Sequence, residues 1–161
     1  MKVPTAADIM DRSELTLTPE LDIGTAMRKM LRAHLNGVPV LDSEGRLCGM
    51  LTEKDCLTAL IRQAMDGAPG ASVRDYMTTS VDSVTPTTQL LDIAHLFLNR
   101  PFRKLPVVDS DGRVVGQVSR RDIIRAIDSA KDNSYLYGTK DQSPGETGGV
   151  HSAMQRARGK S

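Results

Sequence analysis

The sequence predicts a mixed α/β fold made of two copies of one β-α-β-β-α unit. Three observations carry that reading. First, the chain repeats itself at a fixed offset of 67 residues, from Asp8/Asp75 and Met10/Met77 through Pro39-Val40/Pro106-Val107 to Asp55/Asp122, with no insertion. A period of that size marks a duplicated structural unit. Second, stripes with helical spacing alternate with short apolar runs bounded by Gly, Pro, Asp and Ser. Third, one motif, Gly-x-x-Thr/Ser-x-x-Asp, occurs in both copies, at Gly49-Met50-Leu51-Thr52-Glu53-Lys54-Asp55 and Gly116-Gln117-Val118-Ser119-Arg120-Arg121-Asp122.

Each element follows in order. Leu15-Thr16-Leu17 and Val81 to Val84 read as extended segments closed by Thr-Pro, because the residue before proline avoids the helical region. Ile23, Ala26, Met27, Met30 and Leu31 then form an amphipathic helical stripe, repeated in phase by Leu90, Ile93, Ala94, Phe97 and Leu98. Val38-Pro39-Val40-Leu41 and Leu105-Pro106-Val107-Val108 read as buried strands. The turns Asp42-Ser43-Glu44-Gly45 and Asp109-Ser110-Asp111-Gly112 reverse the chain into Leu47–Leu51 and Val114–Val118. A closing helix starts at each motif and runs to about Met65 or Ala130, with Cys56-Leu57, Leu60-Ile61, Ile123-Ile124 and Ile127 as its apolar run.

These elements divide the chain into a first repeat, residues 1–66, a second, residues 67–130, and a polar tail, residues 131–161. The joint, Asp66-Gly67-Ala68-Pro69-Gly70-Ala71-Ser72, is rich in breakers, as a linker should be. A unit of about 60 residues is marginal alone, so the two copies are expected to bury their sheet faces against each other. The tail has little to bury and is expected to be mobile, with Tyr135-Leu136-Tyr137 as its one apolar feature.

Composition narrows the function. The net charge is +1, so nothing points to a general nucleic-acid footprint; the only basic run is Arg156, Arg158 and Lys160 in the tail. No apolar run approaches the roughly 20 residues of a membrane span, and the first residues lack a signal-type stretch. The chain is read as cytoplasmic. Cys48 and Cys56 have neither the spacing nor the neighbours of a zinc site and read as small buried hydrophobes. His34, His95 and His151 are scattered, and no nucleophile–base pair or metal cluster is visible. The chain is therefore expected to be no enzyme.

The repeated motif has two readings. A strand that delivers a hydroxyl and a carboxylate to the first turn of a helix places them beside free N–H groups and the positive end of the helix dipole, where phosphate and sugar can bind. The same spacing, Thr52 to Asp55 and Ser119 to Asp122, is also a capping box with Asp in the place of Glu or Gln.

The duplicated unit resembles the cystathionine-β-synthase (CBS) domain, and the pair resembles a Bateman module. The resemblance covers roughly Ala6 to Ala130. It rests on Asp8-Ile9-Met10 and Asp75-Tyr76-Met77, on the Val-Pro-Val-Leu-Asp and Leu-Pro-Val-Val-Asp strands, and above all on the motif in both copies. It implies two repeats packed through their sheets as a pseudo-two-fold pair, clefts that take AMP, ADP, ATP or S-adenosylmethionine as a regulatory ligand, no required cofactor, and a homodimer. Carried over by motif position, Asp55 and Asp122 would accept from a ribose diol, and Thr52 and Ser119 would hold phosphate. Val38 and Leu105, with Thr18 and Thr85, match the family's adenine positions.

The copies differ in charge. The second has Arg120 and Arg121 in the motif and Arg100, Arg103 and Lys104 before its Pro strand, where the first has Glu53, Lys54, Ala33, Asn36 and Gly37. Clustered arginines favour phosphate, so the cleft bearing Ser119 and Asp122 is predicted to be the better nucleotide site; the alternative is that these are solvated surface charges. The function implied is a stand-alone regulatory protein that binds an adenosyl ligand and signals to a partner protein. The rival is a ligand-free dimerisation or adaptor module, in which the motifs are caps only.

Overall fold

A computed structural model describes residues 3–12, 15–67 and 70–130. The predictions for the tail beyond residue 130 lie outside these residues. The first copy contains α1 (Ala6–Ile9), α2 (Ile23–Ala33), β1 (Gly37–Leu41), β2 (Leu47–Thr52) and α3 (Glu53–Asp66). The second repeats the series as α4 (Val73–Tyr76), α5 (Leu90–Asn99), β3 (Lys104–Val108), β4 (Val114–Ser119) and α6 (Arg120–Ser129).

Each copy is organised on an antiparallel hairpin, β1–β2 or β3–β4, in the same register: Val38 faces Leu51 and Pro39 faces Met50, as Leu105 faces Val118 and Pro106 faces Gln117. Both carry a bulge at the same place, between Val40 and Leu41 and between Val107 and Val108. The turns are closed by aspartate. Asp42 Oδ1 accepts from the N–H groups of Glu44 (2.8 Å) and Arg46 (2.9 Å), and Asp109 repeats this with Asp111 and Arg113. Gly45 and Gly112 sit at φ 81° and 82°, a conformation that glycine adopts without steric cost.

The extended segments before each Thr-Pro are shorter than predicted. Leu17 alone pairs with β1, its N–H donating to the Pro39 carbonyl and its carbonyl accepting from Leu41 N–H; Val84 pairs with β3 in the same way. The next donor in this parallel ladder would be the residue two further on. That residue is Pro19 or Pro86, which has no N–H, so the strand stops.

The buried residues form two cores that do not follow the order of the chain. The first joins Leu17, Ile23, Met30, Val38, Val40 and Leu51 to Val73 of α4. The second joins Val84, Leu90, Ile93, Phe97, Leu105 and Val118 to Ala6 of α1. Backbone bonds fix the exchange: Ala6 N–H donates to Thr88 and Ala7 N–H to Pro86, while Val73 N–H donates to Leu21 and Arg74 N–H to Pro19. Arg74 also pairs with Glu20 at 2.8 Å, and Arg62 of α3 lies over the Tyr76 ring, 5.8 Å from its centroid. The chain passes back between the copies after each short helix, with Asp11 pairing to Gln117 on β4 and Thr78 to Met50 on β2.

The helical stripes are narrower than the sequence suggested. Ile23, Ala26 and Met30 are buried, but Leu31, one residue (about 100°) further round the helix, is 74% exposed, and Leu98 is 77% exposed. On α3 only Cys56 and Ala59 are buried; Leu57, Leu60, Ile61 and Met65 face outward. Among the described residues no helix is long and apolar enough to cross a membrane.

Candidate functional site

Both motifs sit where a core strand becomes a helix. Leu51 and Val118 point into the cores, so by strand alternation Thr52 and Ser119 turn to the other face. Thr52 Oγ1 accepts from Asp55 N–H at 3.2 Å, and Asp55 Oδ2 accepts from Thr52 N–H (3.0 Å) and Thr52 Oγ1 (2.9 Å). Ser119 and Asp122 repeat the box at 3.2, 2.8 and 2.9 Å. The capping reading of the motif is therefore realised in both copies. It leaves chemistry to spare, because a carboxylate has about four acceptor positions and the box uses Oδ2 alone.

The surroundings of the second oxygen differ between copies. Beside Asp55 stands Thr78, whose hydroxyl is 3.4–3.5 Å from the two carboxylate oxygens. Beside Asp122 stands Arg125, with its guanidinium 3.7 Å from Oδ1, and the Asp122 side chain is 17% exposed. A cavity of about 440 Å³ opens there, lined by Ile9, Met10, Asp11, Arg12, Asp122 and Arg125. A second, of about 350 Å³, shares Ile9, Asp122 and Arg125 and adds Pro4, Asp8 and Ser129 among others. The space is thus built between α6 of one copy and the segment that follows α1 of the other.

The other predicted residues fall into groups. Lys104 is the register partner of Ser119 across the hairpin. Arg103, Arg120 and Arg121 are exposed, and among the described residues none pairs with a carboxylate. Arg100 instead pairs with Asp82 at 3.5 Å. Val38 and Leu105 are fully buried in the cores. Thr18 and Thr85 are exposed but follow Leu17 and Val84, beside the Leu41 and Val108 ends of β1 and β3. That is about 13 Å by strand rise from the ends that hold Thr52 and Ser119. The structure therefore does not gather Thr18 with Thr52, or Thr85 with Ser119, within a copy. Thr85 shares its hydroxyl with Thr87 and Thr88, at 3.2 Å each.

The backbone adds a further asymmetry. Glu53 N–H, at the start of α3, donates to the Asn36 carbonyl at 3.1 Å. Among the described residues Arg120 N–H, the matching donor on α6, meets no such acceptor. Sequence reasoning missed Asp11, Arg12 and Arg125, whose counterparts at the 67-residue offset are Thr78, Thr79 and Thr58. The signal was present in that the offset aligned them, but nothing in the sequence put Asp11 across from Asp122.

The cysteines take no part. Burial pushes the Cys56 thiol up, helped by Asp55, and its sulfur rests 3.9 Å from Met30 Sδ; burial also raises Cys48. Among the described residues no three His, Cys, Asp or Glu are placed to hold a metal.

The sequence profile of the CBS domain matches residues 6–62 and 73–129, one copy each. The chain belongs to the CBS-domain family. Its two copies form a CBS pair, and the structure is similar to solved CBS pairs. One is CBSX2 in complex with AMP, 30% identical with a TM-score of 0.68, covering 76% of this chain and 95% of that one; CBSX2 is a CBS-pair protein of Arabidopsis thaliana. Another is the CBS domain pair of protein MJ0100 in complex with 5′-methylthioadenosine and S-adenosyl-L-methionine, 26% identical with a TM-score of 0.65, covering 79% and 98%. Among curated proteins, an uncharacterized 17.7 kDa protein from Acidianus ambivalens is 36% identical over 109 residues, 68% of this chain and 64% of that protein.

Proposed function

We propose that this CBS pair is a regulatory module that binds an adenosine-containing ligand between its repeats and passes the change to a protein partner. The observation that carries the reading is the Asp122 site. A carboxylate already held by its capping box keeps its second oxygen beside a cavity walled by both copies. An ionised carboxylate at that point is suited to a ribose diol. The likeness to CBS pairs that bind AMP or S-adenosyl-L-methionine supports the same class of ligand.

The second cleft is the stronger candidate for a phosphorylated ligand. Arg103, Arg120 and Arg121 are without carboxylate partners among the described residues, and the Arg120 N–H is not taken up by a backbone acceptor. The Ser119 hydroxyl spends its proton on Asp122, so a phosphate there would be met first by N–H groups and guanidinium. A ligand that touches both copies biases their packing only in so far as it binds two arrangements with different affinity.

A ligand-free adaptor is the second reading, and the outward stripe of α3 favours it: Leu57 (59% exposed), Leu60 (48%), Ile61 (57%) and Met65 (79%) share one helical face. The same stripe supports a homodimer under either reading, since an isologous two-fold contact lays like on like.

Calorimetric titration of the nucleotide-stripped protein with AMP, ADP, ATP and S-adenosylmethionine separates the readings. Saturable binding that is lost in a folded Asp122→Ala variant and kept in Asp55→Ala is the expected result. Binding by none of the four moves the function to the adaptor.

A further inference from the structure

The offset that relates the two copies carries Arg46 onto Arg113, and these two residues pair with each other, antiparallel. A residue that meets its own counterpart lies on the two-fold relation between the copies. Other pairings between the copies come instead as two images on either side of it. Asp11 with Gln117 is the image of Thr78 with Met50, and Thr5 with Gln89 is the image of Ser72 with Asp22. The tips of the two hairpins therefore meet on the pseudo-two-fold, and the crossing segments flank it.

The meeting of the tips is reciprocal. Arg46 Nε donates to the Asp111 carbonyl and Arg113 Nε to the Glu44 carbonyl, each at 3.0 Å. Leu47 N–H donates to the Gly112 carbonyl at 3.0 Å, and Val114 N–H to the Gly45 carbonyl at 3.4 Å. A carboxylate of its own turn steadies each guanidinium, Glu44 for Arg46 and Asp111 for Arg113. Arginine suits this position because its planar fork serves two acceptors at once, where an ammonium is a point charge. Leu47 and Val114 open β2 and β4, and Thr52 and Ser119 close them. One strand, about 17 Å long by its rise, thus runs from this clasp to each motif.

We propose that the clasp couples the two motifs. A displacement of Thr52 and Asp55 passes along β2 to the tips, crosses between Arg46 and Arg113, and passes along β4 to Ser119 and Asp122. Coupling between distant sites is carried by rigid elements joined through hydrogen-bond networks, and here the two rigid elements are the motif strands themselves. Because the clasp lies on the two-fold relation, a shift that enters from either copy meets the same contact. This coupling is independent of which ligand the clefts take. Arg46 and Arg113 act in it as positioning residues. The competing route leaves Asp55 through the Thr78 hydroxyl and follows the crossing segment to Val84, which pairs with β3.

Amide chemical shifts of the full chain, recorded without ligand, test the route, because they report the folded state and are not moved by a change in global stability alone. Thr52→Ala removes the cap of α3. In the otherwise wild-type chain it is expected to displace the amide signals of Asp55 and also those of Val114, Ser119 and Asp122. In the Arg46→Ala/Arg113→Ala background, Thr52→Ala is expected still to displace Asp55, while the displacement at Ser119 and Asp122 is lost. Arg46→Lys/Arg113→Lys, which removes the fork and keeps the charge, serves if the alanine pair does not fold. Displacement at Ser119 and Asp122 that persists without the two arginines overturns the clasp and assigns the route to the crossing segments. Signals of the second motif that never respond to Thr52→Ala overturn the coupling itself.

Discussion

The sulfur of Met10 stands 2.7 Å from where a Cβ on Gly116 would be, and that of Met77 stands at the same distance over Gly49. The crossing segment of each copy thus lies directly on the motif strand of the other, and a side chain at the glycine of each motif would have to displace it. A Cβ on Gly116 would also approach the Asp11 carbonyl to 3.0 Å. Gly116→Ala and Gly49→Ala are each expected to cost about 1–3 kcal/mol by overpacking. Urea denaturation measures this, and adding Met10→Ala to Gly116→Ala should restore part of the loss. An unshifted midpoint in Gly116→Ala would show that the contact gives way freely.

Ser119→Ala and Thr52→Ala each remove a helix cap and should destabilise the protein by about 1 kcal/mol. Ser119→Thr keeps the oxygen, as the first copy does, and should be close to neutral. A Ser119→Ala protein as stable as the parent would mean that the box contributes nothing to α6.

Asp42 gives the fold an acid limit. The N–H groups of Arg46 and then Glu44 bond its carboxylate and hold it below the ordinary value of 3.8. Stability from this turn is present above 3.8 and is lost as pH falls through the lower folded value, where the carboxylate takes up its proton. Thermal melts between pH 2 and 6 should show a shallower acid limb for Asp42→Ala than for the parent. Parallel limbs would remove Asp42 from the account.

Leu60→Glu with Ile61→Glu places two charges on the α3 stripe. Under the proposed dimer, sedimentation equilibrium of this variant should return the 17.5 kDa of a single chain, while the parent weighs twice that. A parent that already sediments as one chain sinks the dimer.

The elements were legible because they depend on local chemistry: apolar spacing for α2 and α5, Asp-Gly turns for the hairpins, and a hydroxyl and a carboxylate three residues apart for the caps. The breadth of the buried faces was not legible. Leu31 and Leu98 satisfy the helical pattern yet lie outside, since a period says which residues share a face and not how much of it a neighbour covers. The motif carboxylates are legible in the sequence, but the pairing of Asp11 with Gln117 is not. Their meeting depends on the crossover that brings residues 106 positions apart onto one sheet. Val38 and Leu105 match the family's adenine positions in sequence, and the pleat that turns their side chains into the cores is a property of the fold.

The exchange of α1 and α4 bears on what the smallest foldable piece of this chain is. Ala6 closes the second core and Val73 the first, so a cut at the joint near Gly67 would separate each hairpin from the short helix that seals it. Neither half owns a complete interior. A single repeat produced alone could recover one only by trading its leading turn with a second molecule, and the covalent pair is that trade made permanent. The two sites then sit astride a shared seam, and unfolding either half opens both.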